Sequence, residues 1–451
     1  MAITMTGQAT KIGRTLTVSL LMGAVLFGCE RERVLEGERL ELRAPNVALG
    51  ADVPAVEEIE VRIDKLSLAA PATNASWTHR NGSAQHLIRH PSLGRSLTRI
   101  WAANVGTGNS KKHAITASPI IADGRIYTMD ANAGVRAFTT AGAPVWVADL
   151  TPPNEKSNEA SGGGLAFGNG ILAATTGHGE IVVMNPATGA LRWRHQMTGA
   201  ISAAPVIVGD TVVAVGRNNV ALGLDIKNGR ILWQQLSPGN TAGVAGAGAP
   251  AALGKLVVIP FSSGELVGTV ASNGLRAWSG SVSGGNKGLA RNLVADISGD
   301  PVIDGRTVYV ANQTGRLAAM DRRSGERLWT AKDGSYSPVW PAGGAVFMVT
   351  DRFAVKRLNA SDGTEVWSQE LPDFKTERDR RKRATYAYFG PVLAGGQVWV
   401  GGSDGLLRSY DPVNGALTGT VDIPGGAASQ PAIAGNRMYI LSGNGQLHAF
   451  Q

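Results

Sequence analysis

The sequence predicts an all-β fold, an eight-bladed β-propeller with four-stranded antiparallel blades. Three observations predict it: a turn repeat that ends in tryptophan, a glycine hairpin that occurs eight times, and a last unit that lacks one strand. Glycine accounts for 59 of 451 residues, which suits a chain with many turns. Because 43% of the residues are hydrophobic, the chain also has enough apolar side chains for a packed core.

The turn repeat joins an Asx residue to a glycine four positions later and to a tryptophan four positions after that. Clear copies are "DRRSGERLW", Asp321 to Trp329, and "DIKNGRILW", Asp225 to Trp233. An Asx side chain bonds the backbone two residues on and glycine accepts a positive φ, so the frame predicts a tight turn between strands. We expect the tryptophan to fill a gap beside the next strand. Tryptophans at 101, 146, 193, 233, 278, 329 and 367 are 38 to 51 residues apart, a spacing typical of propeller blades.

The second repeat is a hairpin signal, in which an apolar run and a β-branched run flank a short turn with glycine. It occurs eight times, as "IIADGRIYTM", "LAFGNGILAA", "VIVGDTVVAV", "AALGKLVVIP", "VIDGRTVYVA", "VWPAGGAVFMV", "VLAGGQVWVG" and "AIAGNRMYIL". Each unit continues with a third strand and with the tryptophan strand. The pattern therefore predicts eight blades of four strands.

The two ends of the chain are complementary. The last unit stops at "GQLHAFQ", Gly445 to Gln451, after three strands, whereas "SLTRIWAANV", Ser96 to Val105, is a tryptophan strand with no hairpin before it. Pairing the two would complete the last blade and remove an open sheet edge. Residues 73–451 are therefore predicted to form one circular domain.

The N-terminus has the features of a lipoprotein signal peptide over residues 1–28. Lys11 and Arg14 precede the apolar segment "LTVSLLMGAVLFG", which ends at Cys29, the one cysteine of the chain. The tetrapeptide "LFGC" resembles the bacterial lipobox, which implies lipidation of Cys29; the alternative is an exported leader with an incidental cysteine. Glu30, in place of aspartate, favours the outer membrane. Residues 29–72 are charge-rich and are predicted to be a lipidated tether.

Composition and motifs argue against several other classes of protein. A formal net charge of +8 is mild for this length and no basic stripe with aromatics occurs, so we expect no nucleic-acid binding. The basic run within residues 375–383 is either a solvated loop or a site for an acidic partner or anionic lipid. His86 and His90 have metal-ligand spacing but no nearby third ligand, which favours a surface or packing role. No nucleophile with a neighbouring base is recognisable, and no cofactor is predicted.

The repeats, the closing strand and the Cys29 segment together resemble the family of the outer-membrane protein assembly factor BamB. The resemblance implies a non-enzymatic scaffold of the outer-membrane β-barrel assembly machinery, lipid-anchored in the outer membrane and facing the periplasm. It implies binding to the periplasmic domains of the barrel-inserting subunit, with unfolded outer-membrane proteins as further candidate partners. A periplasmic propeller for another ligand, such as cell-wall polymer, is the alternative function.

Quinone-dependent dehydrogenases share the repeat, and a degenerate member of that group is a remote further alternative. Resemblance to them would imply a quinone pocket with Ca²⁺, a catalytic aspartate and, commonly, a vicinal disulfide. A chain with one cysteine cannot form that disulfide. The repeat residues Asp225, Asp321 and Asp411 are predicted to cap turns instead.

Partner binding is predicted on one face, where four long blade connections emerge. These connections run from Thr151 to Gly163, Leu236 to Gly248, Gly280 to Ile297 and Leu371 to Tyr388. The family resemblance implies a leucine–arginine pair in one loop, where this chain has Leu236 followed by Ser237 and Pro238. It implies an acidic pair in another loop, where "ARNLVADISGDP" has Asp296 and then Ser298.

The predicted partner-binding residues are Leu236, Arg291, Leu293 and Asp296. The alternative is that these loops are tolerated surface insertions.

Overall fold

The computed structural model describes residues 65–238, 248–282, 296–376 and 384–451. The chain divides into two units, residues 1–60 and 61–451, and every described residue belongs to the second. Within these ranges, eight antiparallel sheets of four strands each confirm the predicted eight-bladed, all-β propeller. The same residues include no helix of the length and hydrophobicity that a membrane span requires. The predicted leader and Cys29 lie outside the described residues.

The strands are numbered in chain order and the blades in order of their first strands. Blade 1 has β2 (Ile120–Ala122), β3 (Arg125–Met129), β4 (Gly134–Thr139) and β5 (Pro144–Asp149), and blade 2 has β6 (Gly163–Gly168), β7 (Ile171–Thr176), β8 (Glu180–Met184) and β9 (Leu191–Gln196). Blade 3 has β10 (Val206–Val208), β11 (Thr211–Val215), β12 (Val220–Asp225) and β13 (Ile231–Leu236), and blade 4 has β14 (Ala251–Leu253), β15 (Leu256–Pro260), β16 (Glu265–Val270) and β17 (Arg276–Ser281). Blade 5 has β18 (Val302–Asp304), β19 (Thr307–Asn312), β20 (Arg316–Asp321) and β21 (Arg327–Ala331), and blade 6 has β22 (Trp340–Ala342), β23 (Ala345–Val349), β24 (Ala354–Asn359) and β25 (Glu365–Glu370). Blade 7 has β26 (Tyr388–Ala394), β27 (Gln397–Gly402), β28 (Leu406–Tyr410) and β29 (Leu417–Asp422), and blade 8 has β30 (Ala432–Ala434), β31 (Arg437–Ser442), β32 (Gln446–Phe450) and β1 (Arg99–Asn104).

Burial along the strands gives the order from the axis to the rim. The second strand of blade 3 is buried at every position because the neighbouring blades cover both faces of its sheet. The fourth strand of the same blade exposes most of its residues but buries its tryptophan. First strands of neighbouring blades contact one another at most junctions of the ring. The first strands therefore line the central channel, and the fourth strands form the rim.

Blade 8 combines both ends of the described chain. β1 runs antiparallel to β32, with Trp101 opposite Ala449 and Asn104 opposite Gln446. Beyond the strand, the backbone N–H groups of Thr98 and Gln451 each donate to the other residue's carbonyl, at 2.9 and 3.0 Å. Chain segments almost 350 residues apart in sequence thus form the outer half of one sheet.

The repeated tryptophan packs on the turn of the next blade, not on its own turn. The indole Nε1 of Trp233 in blade 3 donates to the Ala271 carbonyl in blade 4, at 2.6 Å. A Cβ on Gly274, in the same turn of blade 4, would lie 2.6 Å from Trp233 Cβ. Gly274 also has φ +71°, so the turn needs glycine both for its backbone and for the indole. We call this arrangement the tryptophan–glycine contact.

The same contact recurs from blade to blade. Its other pairs are Trp101 with Gly142, Trp146 with Gly189, Trp193 with Gly229, Trp278 with Gly325, Trp329 with Gly363 and Trp367 with Gly415. From Trp146 to Trp367, each indole also donates to a carbonyl of the next blade's turn at 2.6–3.1 Å. The glycine in each sequence repeat therefore accommodates the tryptophan of the repeat before it.

Residues 65–95, which we call the axial segment, contact the first strands or first hairpin turns of all eight blades. The contacts with blades 1 to 5 follow the order of the chain. Trp77 exchanges two backbone hydrogen bonds with Ile121 of blade 1. In blades 2 to 5, the N–H groups of Phe167, Ile207, Ala252 and Ile303 donate to Thr78 O, His79 Nε2, Ala84 O and Gln85 O, respectively. For blades 6 to 8, the donors and acceptors are Ser67 N to Gly343 O, Gly395 N to Pro91 O and Gly435 N to Asn74 O. A single segment can contact the first strands or first hairpin turns of all eight blades only if it lies in the central channel. It satisfies backbone groups that would otherwise line that channel unpaired.

One expectation from the sequence, the end of the tether at residue 72, needs correction here. Residues 65–72 were assigned to the tether, but Leu66 and Leu68 already pack against the propeller core. His86 and His90, whose spacing is that of metal ligands on a helix, have φ of 59° and 33° in an irregular stretch of chain. Both histidines are buried, as a packing role requires. The sequence does not predict the position of this segment, because the segment has neither strand periodicity nor a repeat.

Acidification is expected to destabilise the propeller through the axial segment. Burial lowers the pKa of His79 to about 3, with a further contribution from nearby His86. Burial also lowers the pKa of His86, partly opposed by Asp300 and by its bond to the Pro301 carbonyl, while Arg80 acts in the same direction as burial. The unfolded chain takes up both protons near pH 6.5, so stability is complete above that pH and falls as the pH drops towards 3.

Each buried histidine adds a slope of up to about 1.4 kcal/mol per pH unit. Urea unfolding between about pH 7.5 and about pH 5 should therefore show falling stability. His79→Gln should make the slope shallower. An identical slope in wild type and variant would contradict the assignment.

Candidate partner-binding face

The two faces of the propeller carry different loops. We call the surface where fourth strands lead into the next blade the connection face, and the opposite surface the hairpin face. Leu236, at the end of β13, pairs with Val220 at the start of β12, so the connection face also carries the turns between second and third strands. Glycine hairpins and the tryptophan-receiving turns lie on the hairpin face. The described ends of all four long connections lie on the connection face, whereas residues 239–247, 283–295 and 377–383 are outside the described ranges.

Leu236 is an exposed apolar side chain on a well-fixed backbone. Its side chain is 60% exposed. Its carbonyl accepts a hydrogen bond from Arg276 of blade 4 at 3.3 Å, and Arg276 pairs with Glu265 at 3.1 Å. The Ser237 hydroxyl donates to the same Glu265 carboxylate at 2.6 Å. An exposed leucine whose backbone is held by polar contacts beside a guanidinium has the composition of an interface anchor.

Arg276 and Glu265 were not predicted from the sequence. They lie about one repeat beyond Leu236, and the residues directly after Leu236 are Ser237 and Pro238. Arg276 begins β17, the fourth strand of blade 4, and the packing of blade 4 against blade 3 brings it next to Leu236. The repeat length is therefore the sequence signal that relates Arg276 to Leu236.

Asp296 does not project from the connection as expected. It is 1% exposed, and Ser298, at the second acidic position, is buried as well. The chain is drawn inward here because the Ile297 carbonyl accepts from Gly248 N at 3.2 Å and the Ser298 hydroxyl donates to the Ser335 carbonyl at 2.8 Å. The expected projection of Asp296 is therefore wrong, although Arg291 and Leu293 lie outside the described residues.

The basic run of residues 375–383 begins from an ordered stem. Lys375 N donates to the Ala384 carbonyl at 2.8 Å, and Phe374 forms a bridge with Thr385. Below the stem, the Tyr388 hydroxyl donates to the Pro372 carbonyl at 2.6 Å. The stem is fixed to blade 7 on the connection face. Whether the run binds an acidic partner or lipid stays a prediction.

The described residues do not fit a metal-bound quinone. Asp225, Asp321 and Asp411 each accept a backbone N–H from two residues on, at 2.7–2.8 Å, as turn caps do. Arg306 contributes most to lowering the pKa of Asp321 to about 2. Across the described ranges, no three histidine, cysteine or acidic side chains converge in a way that could hold a metal ion. The axial segment also occupies the channel at the level of the first strands.

Known proteins resemble this chain in both sequence and fold. The outer membrane protein assembly factor BamB of Shewanella oneidensis is 24% identical over 355 residues, covering 77% of this chain and 87% of that protein. The protein of the same name from Bordetella pertussis is 26% identical over 365 residues, covering 78% of this chain and 86% of that protein. Among solved structures, BamB from Moraxella catarrhalis matches with a TM-score of 0.66 at 19% identity, over 79% of this chain and 100% of that one.

The propeller architecture is shared more widely. Quinohemoprotein alcohol dehydrogenase from Comamonas testosteroni matches with a TM-score of 0.65 at 14% identity, over 85% of this chain and 81% of that one. At that identity the likeness concerns the fold. The family model for the outer membrane protein assembly factor BamB matches residues 131–369 and 351–451, which is well over half of the chain. This chain therefore belongs to the BamB family of outer membrane protein assembly factors.

Proposed function

We propose that the chain is a non-enzymatic scaffold subunit of the outer-membrane β-barrel assembly machinery. Its membership of a family named for outer membrane protein assembly carries this proposal. The propeller would bind the periplasmic domains of the barrel-inserting subunit through the connection face. Unfolded outer-membrane proteins are further proposed partners. A propeller for cell-wall polymer is the alternative that the binding experiment below would reveal.

Leu236 and Arg276 are proposed to form the described part of that interface. An apolar anchor flanked by a charge is typical of interface hot spots, and polar contacts around it exclude water. The backbone at Leu236 is already fixed by Arg276 and Ser237, so binding there would cost little conformational entropy. Arg291 and Leu293, in the connection after blade 4, remain proposed contacts. Asp296 would contribute by fixing the base of that connection.

Leu236→Glu is expected to weaken binding to the barrel-inserting subunit by about tenfold or more, because a charge replaces the apolar anchor. Folding should change by about 0.5 kcal/mol or less, since the side chain is exposed. Leu275→Glu is the matched control, because Leu275 is 65% exposed on the hairpin face of the neighbouring blade. Affinity can be measured with the purified periplasmic domains. Equal binding by both variants would argue against the connection face, and absent binding by wild type would favour the alternative ligand.

The proposed location is the periplasmic side of the outer membrane, with Cys29 as the lipid attachment site. Each buried acyl methylene contributes about 0.8 kcal/mol, so several acyl chains anchor a protein stably. Cys29→Ser should remove labelling by a lipid precursor and release the protein from the membrane fraction, because serine has no thiol to accept the diacylglycerol. Persistent labelling of the variant would refute the assignment.

A further inference from the structure

The interface between blades 7 and 8 differs from its neighbours. Gly419 stands in β29 where the fourth strands of blades 1 to 6 have a tryptophan. Blade 8 could not receive an indole in any case, because its third strand ends at Phe450 and its fourth strand is β1, from the other end of the chain. No turn joins these two strands. The tryptophan–glycine contact is therefore missing here for a topological reason.

Two stretches of the axial segment lie at this interface and pair with each other. Ala72 N donates to the His90 carbonyl at 3.0 Å, and Ser92 N donates to the Ala72 carbonyl at 2.9 Å. Ala72 and Pro91 form a parallel bridge. Residues 72–74 and 90–93 thus make a small paired unit, which we call the seam bridge.

The seam bridge is bonded to the hairpin turns of both blades. On the blade 7 side, Gly395 N donates to the Pro91 carbonyl at 3.0 Å, and Gly396 N donates to His90 Nε2 at 2.8 Å. On the blade 8 side, Gly435 N donates to the Asn74 carbonyl at 2.8 Å, and Asn74 Nδ2 donates to the Ile433 carbonyl at 2.6 Å.

Close packing against the blade 7 hairpin also fixes the position of the seam bridge. A Cβ placed on Gly395 would collide with the carbonyl oxygen of Leu93. Leu93 and His90 are both buried, so the hydrogen bonds beside them are shielded from water. On the blade 8 side, the side chains of Thr73 and Ser92 both bond the Asn436 amide oxygen. The bridge therefore contacts both blades through backbone and side-chain groups.

We propose that the seam bridge holds blades 7 and 8 together in place of the missing tryptophan–glycine contact, and that its docking controls opening of the propeller ring at this interface. A rim contact at each other junction is replaced here by a contact at the axis.

The test compares two glycines that differ in one respect. Gly395 and Gly435 occupy equivalent hairpin turns with φ of +57° and +59°, but a Cβ on Gly435 would meet nothing within 4 Å. Alanine should therefore strain both turns alike, whereas only Gly395→Ala should push the seam bridge away from blade 7. Hydrogen exchange of the full-length protein, read by mass spectrometry, reports on each junction separately.

Gly395→Ala is expected to speed amide exchange about tenfold or more in residues 72–93, β29, β30 and β1, with little change at the junction of blades 3 and 4. Gly435→Ala should leave the rates in residues 72–93 and at the seam near those of wild type. Faster exchange confined to residues 72–93 would overturn the proposal, because the bridge would then dock without holding the junction. Equal effects of the two glycine variants, or none, would overturn it as well.

Asn74→Ala provides the same test if Gly395→Ala does not fold, because it removes the bond to the Ile433 carbonyl without strain at a turn. Ser83→Ala is its control, since the Ser83 hydroxyl bonds the Leu87 carbonyl within the axial segment. Faster exchange at the seam in Asn74→Ala alone would support the proposal. Equal seam exchange in both variants would overturn it.

Discussion

Trp233→Ala is expected to lower the free energy of unfolding by about 3–5 kcal/mol, the range found for a large aromatic residue removed from a core. Trp233 is 7% exposed, and its removal leaves a cavity between blades 3 and 4. The Ala271 carbonyl also loses its indole donor. Urea unfolding measures the change. A loss below about 1 kcal/mol would mean that the blades are held together by other contacts.

Two glycine variants separate the effect of the tryptophan–glycine contact on stability from the effect of strain in the turn backbone. Gly274 and Gly254 have φ of +71° and +63°, but a Cβ on Gly254 would meet nothing within 4 Å. Gly254→Ala should cost about 1 kcal/mol, for the left-handed backbone alone. Gly274→Ala should cost clearly more, because its methyl group enters the space of the indole. Combined with Trp233→Ala, this extra cost should vanish, and simple additivity would contradict the proposed packing.

A variant that begins at Thr107 is expected to lose stable monomeric folding. It lacks both the axial segment and β1, so the first strands lose their channel partners and β32 becomes an open edge. Exposed edges promote pairing between molecules, and buried backbone groups without partners cost about 1–3 kcal/mol each. Thermal unfolding and sedimentation measure both effects.

A second variant, beginning at Arg95, separates the two contributions. It keeps β1 but lacks most of the axial segment, so it should be less stable than the full chain yet stay monomeric. The Thr107 variant should be less stable again and should self-associate. If the Thr107 variant unfolds at the same midpoint as the full chain and remains monomeric, neither segment is needed to close the ring.

The sequence predicted the blades well because their signals are local. Each hairpin has a glycine turn between two apolar runs, as at Gly254, and most third-to-fourth turns have an Asx cap, as at Asp225. Turn chemistry and strand periodicity act within about ten residues, and repetition adds their evidence across the chain. The candidate site was predicted less well. Leu236 is exposed on the expected face, whereas Asp296 is buried, because the two residues that follow it bond to Gly248 and to Ser335.

By itself, the sequence determined the all-β class, the number of blades and the positions of the glycine turns. Only the tertiary structure decided which partner each local feature meets: Gly274 receives the indole of Trp233 from the blade before it, and Arg276 reaches the carbonyl of Leu236. It also decided that residues 65–95 occupy the channel, since that segment repeats no pattern and contacts every blade. Local turns depend on the residues within them, whereas these contacts depend on how eight sheets stack around an axis.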